Sequence, residues 1–258
     1  MSDETLVDVL GSIIQNCILA VVIAKSIGMM PFGKKSILPI FFVLTMVSFL
    51  LSNLYWIAYD LVNPGTRMPI AANEIAECAA ILLLSVGLDS VLKNHKKVPG
   101  EILFAILYTV ANIVLWIVWS GEWFQDIFFG IPYIYFLWLL IRGLRSRKSM
   151  SQKNLSLAAV TSVVVLALLA MLPISEGPVY AFAKYGSYVV KFALMVWLGI
   201  KSVQSKDIFV VSTFFLWTNL AMFSSAECYY YVAFLANTVA FPIMYISVKK
   251  ELSDNDIC

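Results

Sequence analysis

Charged side chains are scarce in this chain. Only 13% of its 258 residues are Asp, Glu, Lys or Arg, whereas 61% are hydrophobic. A soluble domain needs more polar residues at its surface, so this composition excludes an ordinary soluble protein. The apolar residues form repeated stretches of about 20, which is the length that crosses a bilayer core. We therefore expect an all-α, polytopic membrane protein.

Residues that bind metals or cofactors are also few. The chain has one histidine and four cysteines. His95 stands among lysines, whereas Cys17, Cys78 and Cys228 accompany apolar segments and Cys258 ends the chain. There is no C-x-x-C pair, H-E-x-x-H motif, G-x-S-x-G elbow or glycine-rich phosphate loop. We expect no metal and no cofactor, and an enzyme is the less favoured class.

The long apolar stretches predict nine transmembrane helices. Their limits follow from stretch length and from breaker clusters such as "NPGTRMP", "PISEGP" and "SSAE". The predicted spans are 6–29, 35–62, 68–92, 100–120, 123–143, 154–173, 177–200, 207–225 and 229–248. We expect these helices to form a single transmembrane domain over residues 1–258.

Basic residues predict the orientation of these helices. They cluster at every second connection and at the C-terminal tail: Lys25, Lys34 and Lys35; Lys93, Lys96 and Lys97; Arg142, Arg145, Arg147, Lys148 and Lys153; Lys201 and Lys206; Lys249 and Lys250. The alternate connections hold only Arg67. Since basic residues mark the cytoplasmic side, we expect the N-terminus outside and the C-terminus inside a plasma-type or inner-type cell membrane.

A short internal similarity allows a parallel repeat. The stretch "IAECAAILL" in the third span resembles "SAECYYYVAFL" at the start of the ninth. Transporters often contain such internal symmetry. A repeat would relate residues 35–143 to residues 154–248, with the first helix, 6–29, added.

Two carboxylates lie inside the third predicted span. Glu74 and Glu77 lie roughly 9 and 13 Å from its outer end, at about 1.5 Å rise per residue. Burying them in ionised form against lipid would be costly, so such residues are candidates for a functional site. Helical phase places a ridge of Ala72, Ala76 and Ala80 nearly opposite them. We expect the acidic face to line a polar interior and the alanine ridge to contact another helix.

The seventh span supplies the opposite charge. Lys184 and Lys191 are seven residues apart and share one side of the helix with Tyr188. Lys184 matches the glutamates in depth, whereas Lys191 lies near the midplane. We expect these lysines to pair with the glutamates, or Lys191 to face Asn16, Asn112 or Asn219, or Lys191 to be neutral. Three polar residues in the outer half of other spans complete the candidate site: Asn53, Asn112 and Asn219.

These residues leave several functional hypotheses. The leading one is an outward-facing polar cavity that binds, and as an extension transports, a small polar or cationic molecule, with nearby aromatics able to enclose an organic cation. The alternative is a sensory or partner-binding membrane module without its own output domain. A third is an intramembrane lipid enzyme, and an ionic network that only sets helix register is the structural alternative. We expect membrane lipids, a small-molecule ligand and a membrane or cytoplasmic protein as partners, and no nucleic acid.

Overall fold

The described part of the chain is entirely helical. A computed structural model describes residues 3–30, 36–63, 72–92, 98–225 and 228–255. Within these ranges there are nine α-helices, one short 3-10 turn at Leu172–Ile174 and no strand. The helices are α1 (Asp3–Ile27), α2 (Leu38–Val62), α3 (Ala72–Ser90), α4 (Pro99–Ser120), α5 (Trp123–Ser146), α6 (Gln152–Met171), α7 (Gly177–Ser205), α8 (Ile208–Phe223) and α9 (Cys228–Asn255). The prediction of an all-α protein is confirmed.

Seven of these helices are long and apolar enough to cross a bilayer, namely α1, α2, α4, α5, α6, α7 and α9. The other two differ for separate reasons. Helix α3 carries Glu74, Glu77 and Asp89 within 19 residues. Helix α8 is apolar but has only 16 residues, or about 24 Å of helix. Seven candidate spans indicate a multi-pass membrane protein.

Local side-chain chemistry explains where several helices begin and end. Ser151 precedes α6 and its hydroxyl accepts a hydrogen bond from the Asn154 amide at 3.2 Å. Asp207 precedes α8 and its Oδ1 accepts from the Phe209 amide at 2.9 Å. Such caps satisfy amides that have no partner inside the helix. Gly121 ends α4 with φ of 76°, a conformation that glycine adopts without steric cost.

The described helices divide into two compact units. In the first, called the three-helix unit, α2 contacts both α1 and α3. Leu38, Phe42 and Met46 of α2 are fully buried. Gly87 of α3 allows close packing, since a Cβ there would lie 3.2 Å from the Phe41 Cβ and 3.3 Å from a Leu38 methyl.

The six-helix unit contains α4 to α9, up to Asp254, and α8 is its most buried element. The Phe209 and Phe215 side chains of α8 are fully buried. Phe215 contacts Phe241 of α9, with ring centroids 5.8 Å apart. Gly143 of α5 lies directly against the Phe209 ring, where a Cβ would overlap ring atoms. The short helix is therefore enclosed by longer ones.

Several residues used to predict orientation lie outside the described ranges: Lys34, Lys35, Arg67, Lys93, Lys96 and Lys97. His95 lies outside them as well. Cys258 also lies outside them. The orientation and the internal repeat therefore stay predictions.

Candidate functional site

Glu77 is held at the contact between α2 and α3. The Ser52 hydroxyl of α2 donates a hydrogen bond to Glu77 Oε1 at 3.2 Å. Ser52 is 2% exposed, whereas Glu77 is half-buried. A carboxylate can accept about four hydrogen bonds, so this contact occupies only part of its capacity.

A second hydrogen bond joins α2 to its other neighbour. Asn53 Nδ2 donates to Gln15 Oε1 of α1 at 2.6 Å. Because consecutive helical residues point about 100° apart, Ser52 can face α3 while Asn53 faces α1 at the same level. We call Gln15, Ser52, Asn53 and Glu77 the α2 polar layer. Asn53 and Glu77 were predicted from the sequence, whereas Gln15 and Ser52 were not.

Asn16 follows Gln15 in α1 and is only 8% exposed. Neither its Nδ2 nor its Oδ1 has a hydrogen-bond partner among the residues that the structure describes. An unsatisfied buried amide is costly, and such groups often bind water or a ligand. Asn16, the neighbour of Gln15 in the sequence, therefore offers an amide donor and an amide acceptor that are not used by the described residues.

The prediction that the alanine ridge lies nearly opposite the glutamates of α3 is wrong for Ala80. Ala80 is fully buried, and its carbonyl oxygen lies 3.5 Å from Thr45 Oγ1 of α2. Glu77 and Ala80 therefore lie beside the same helix, because residues three apart differ by only about 60° around the axis. Glu74 is half-buried in the first turn of α3.

Lys191 caps the C-terminal end of α8. Its Nζ donates to the Ser224 carbonyl oxygen at 2.5 Å, to Ser225 Oγ at 2.8 Å and to Ser224 Oγ at 3.2 Å, and the residue is 4% exposed. These acceptors match the three hydrogens of an ammonium group. The C-terminus of a helix carries partial negative charge, so this position suits a cation.

Aromatic side chains complete the surroundings of Lys191. Its Nζ lies 4.8 Å from the Tyr188 ring centroid, and Tyr188 stacks on Tyr229 with centroids 4.2 Å apart. Trp217 Nε1 donates to the Lys191 carbonyl oxygen at 3.1 Å. A cavity of about 20 Å³, with room for about one water molecule, lies beside Lys191, Ser225 and Tyr229. We call Tyr188, Lys191, Ser224, Ser225 and Tyr229 the Lys191 cluster.

The remaining predicted site residues are bonded within their own helices or lie beside an aromatic ring. Asn112 Nδ2 donates to the Tyr108 carbonyl oxygen at 2.8 Å. Asn219 Nδ2 donates to the Phe215 carbonyl oxygen at 2.9 Å. Both amides thus bond to the preceding turn of helix. Lys184 Nζ lies 5.8 Å from the Tyr185 ring centroid.

An ion-pair network joins three segments of the six-helix unit beyond the end of α5. Arg147 forms two hydrogen bonds with Glu251, at 2.5 and 2.8 Å, and lies 4.0 Å from Asp207. Burial alone would lower the pKa of Arg147, but Glu251, Asp207 and Asp254 together raise it above its usual value. Arg147 therefore stays charged and links the α5–α6 connection to α9.

Helical spacing predicted that Tyr188 and Lys191 lie together, but it did not predict their serine neighbours. Ser224 and Ser225 belong to the "SSAE" breaker, which was interpreted only as a connection between spans. A signal in the sequence was the pair of hydroxyls directly after a short apolar helix.

No protein-family model, curated protein or solved structure matches this chain.

Proposed function

We propose that the protein crosses a plasma-type or inner-type cell membrane nine times, with its N-terminus outside and its C-terminus inside. In this topology α3 and α8 are also spans. The distribution of lysine and arginine over alternate connections supports the orientation. A polar face explains why α3 is less apolar than the other helices, and burial by its neighbours explains how α8 can be short.

We propose that the protein binds a small polar or cationic molecule at the α2 polar layer. The observation that carries this proposal is the carboxylate of Glu77, placed at a helix contact and hydrogen-bonded by the neutral Ser52. Ionisable groups within spans commonly mark ligand or ion pathways. In this proposal Glu77 attracts the cationic group, and Asn53 and Asn16 supply amide groups for recognition.

Transport is the extension of this proposal. Glu77 would exchange a proton for the bound cation, so that movement of the cation is coupled to movement of protons. Glu74 contributes negative charge at the same helix end. The pairing of Lys184 with the two glutamates stays a prediction, whereas the three hydrogens of Lys191 are directed to Ser224 and Ser225.

Ligand-induced thermal stabilisation tests the binding step. Purified protein in mild detergent would be melted with ammonium, guanidinium, tetramethylammonium, choline or putrescine. We expect at least one cation to raise the melting temperature by about 3 °C, since a ligand that binds only the native state stabilises it. Glu77→Gln should abolish this shift. The matched control is Glu176→Gln, the same change at an exposed position before α7.

A cation shift that survives Glu77→Gln would contradict the proposed site, as would the absence of any shift with all five cations. Proteoliposomes then separate transport from sensing. Uptake of the stabilising cation with opposite movement of protons supports a transporter. Binding without uptake favours the sensory module instead.

A further inference from the structure

An apolar groove runs along the six-helix unit between α7 and α9. Its volume is about 580 Å³, and Phe192, Val196 and Ile200 of α7, Phe214 of α8, and Leu235 and Val239 of α9 contribute to its walls. Along α7 it extends from Phe192 to Gln204, which is about 18 Å of helix. The groove thus has the length and the apolar lining to hold an extended hydrocarbon chain.

One end of this groove is polar. Phe192, Met195 and Val232 line both the groove and the small cavity of about 20 Å³ beside Lys191. The two spaces therefore adjoin, and the wall of the smaller one contains Lys191, Ser225 and Tyr229. An apolar channel that ends at a buried lysine and a serine hydroxyl is complementary to an amphiphile with a negative head group.

The Ser225 hydroxyl can donate a hydrogen bond to an anion that lies beside Lys191. Its Oγ accepts a hydrogen bond from Lys191, and the hydrogen of its own hydroxyl has no acceptor among the described residues. Lys191 directs its three hydrogens to Ser224 and Ser225. An anionic oxygen in the small cavity can thus accept from Ser225 while it lies close to the ammonium group.

We propose that the groove and the Lys191 cluster bind one long-chain fatty acid anion. Its hydrocarbon chain lies between α7 and α9, and its carboxylate accepts a hydrogen bond from Ser225 beside Lys191. The small cavity, with room for about one water molecule, admits one oxygen of a carboxylate and excludes the bulkier glycerophosphate of a phospholipid. This site is independent of the one proposed at Glu77, so either can fail without the other.

The head group, rather than the chain, determines selectivity at such a site. Lipid tails are as apolar as the groove, so moving a chain from the bilayer into the groove gains little free energy. A charge-assisted hydrogen bond at the polar end is available only to the anion. Comparing amphiphiles with the same chain and different heads therefore isolates the proposed interaction.

Binding of labelled palmitate tests this inference. The full chain would be placed in nanodiscs of phosphatidylcholine, and saturable binding would be measured together with competition by unlabelled palmitate, hexadecanol and hexadecyltrimethylammonium. We expect one palmitate per protein and competition by hexadecanol that is about tenfold weaker. The cationic amphiphile should compete least of the three.

Two variants separate the polar end from the groove. Ser225→Ala removes the donor but leaves the Ser224 carbonyl oxygen to Lys191, and should weaken palmitate binding about tenfold. Ala236→Phe places a ring in the groove, whereas Ala167→Phe makes the same change at an exposed position of α6. We expect loss of binding with Ala236→Phe and retention with Ala167→Phe.

Equal competition by hexadecanol and palmitate would overturn the proposed recognition of an anion. Equal binding by the Ala236→Phe and Ala167→Phe proteins would overturn the assignment of the chain to this groove. Absence of saturable palmitate binding to the folded wild-type protein would overturn the whole inference. Melting curves of each variant identify any loss of binding that results from unfolding.

Discussion

Glu77 in the three-helix unit and Lys191 in the six-helix unit are ionisable residues on helices of a membrane protein, but their surroundings differ. Among the described residues, Glu77 accepts one hydrogen bond, from the Ser52 hydroxyl. Lys191 donates to three acceptors at a helix end and also lies beside the Tyr188 ring. The lysine is thus fully satisfied as a donor, whereas the carboxylate retains capacity to accept. This difference indicates that Lys191 stabilises the end of α8, whereas the Glu77 carboxylate can accept further hydrogen bonds.

The largest effect is expected from removing the Lys191 ammonium group. Lys191→Met leaves the end of α8 without its cap, and should lower the free energy of unfolding by about 3 kcal/mol, since hydrogen bonds from charged groups are strong and the partly buried Ser224 carbonyl loses its partner. Thermal unfolding in detergent measures this. Lys184→Met, on the same helix but half-buried, is the matched control and should have a smaller effect. Equal stability of the two variants would contradict the structural contribution of Lys191.

Alanine substitutions at two glycines test how tightly the helices pack within each unit. Gly143→Ala would place a methyl group into the Phe209 ring, and Gly87→Ala would place one 3.2 Å from the Phe41 Cβ. Overpacking costs about 1–3 kcal/mol. We expect Gly143→Ala to lower the melting temperature clearly, and Gly87→Ala to have a smaller effect because its contacts can relax by a few tenths of an ångström.

Gly100→Ala is the control for this pair, because nothing lies within 4 Å of the added methyl group. It should be neutral or slightly stabilising, since alanine favours a helix more than glycine does. A Gly87→Ala protein less stable than Gly143→Ala would reverse the expected order of packing tightness.

The smallest effect is expected from the contact between Ser52 and Glu77. A double-mutant cycle with Ser52→Ala and Glu77→Ala measures their coupling, which should be about 1 kcal/mol because one hydrogen bond joins them. Thermal unfolding of the two single variants and the double variant supplies the cycle. Ser253→Ala serves as a control, since that hydroxyl is exposed and donates to the Lys249 carbonyl oxygen in its own helix. No coupling between Ser52 and Glu77 would remove the observation on which the proposed site depends.

Hydropathy predicted the described helices well, with instructive errors at their ends. The predicted seventh span begins at the observed start of α7, at residue 177. The ninth was predicted to end at residue 248, whereas α9 continues to Asn255 through Lys249, Lys250 and Glu251. Hydropathy marks where a chain leaves hydrocarbon, but the helical hydrogen bonds of α9 continue beyond that point.

The candidate site was predicted only in part. Helical spacing placed Tyr188 and Lys191 on one side of α7, and they do lie together. Spacing could not identify Ser224 as the partner of Lys191, because these residues are 33 positions apart. Asn112 and Asn219 were predicted to face the site, but the described hydrogen bonds of their amide nitrogens join the preceding turn of their own helices.

The amino-acid sequence by itself determined the helical class and the membrane environment of this protein. Both follow from local chemistry, since in lipid a helix satisfies its backbone hydrogen bonds within one segment and exposes apolar side chains. Only the tertiary structure decided which groups contact Glu77 and Lys191. Those contacts depend on the rotation of each helix and on where its neighbour ends, and neither property is contained in a single apolar stretch.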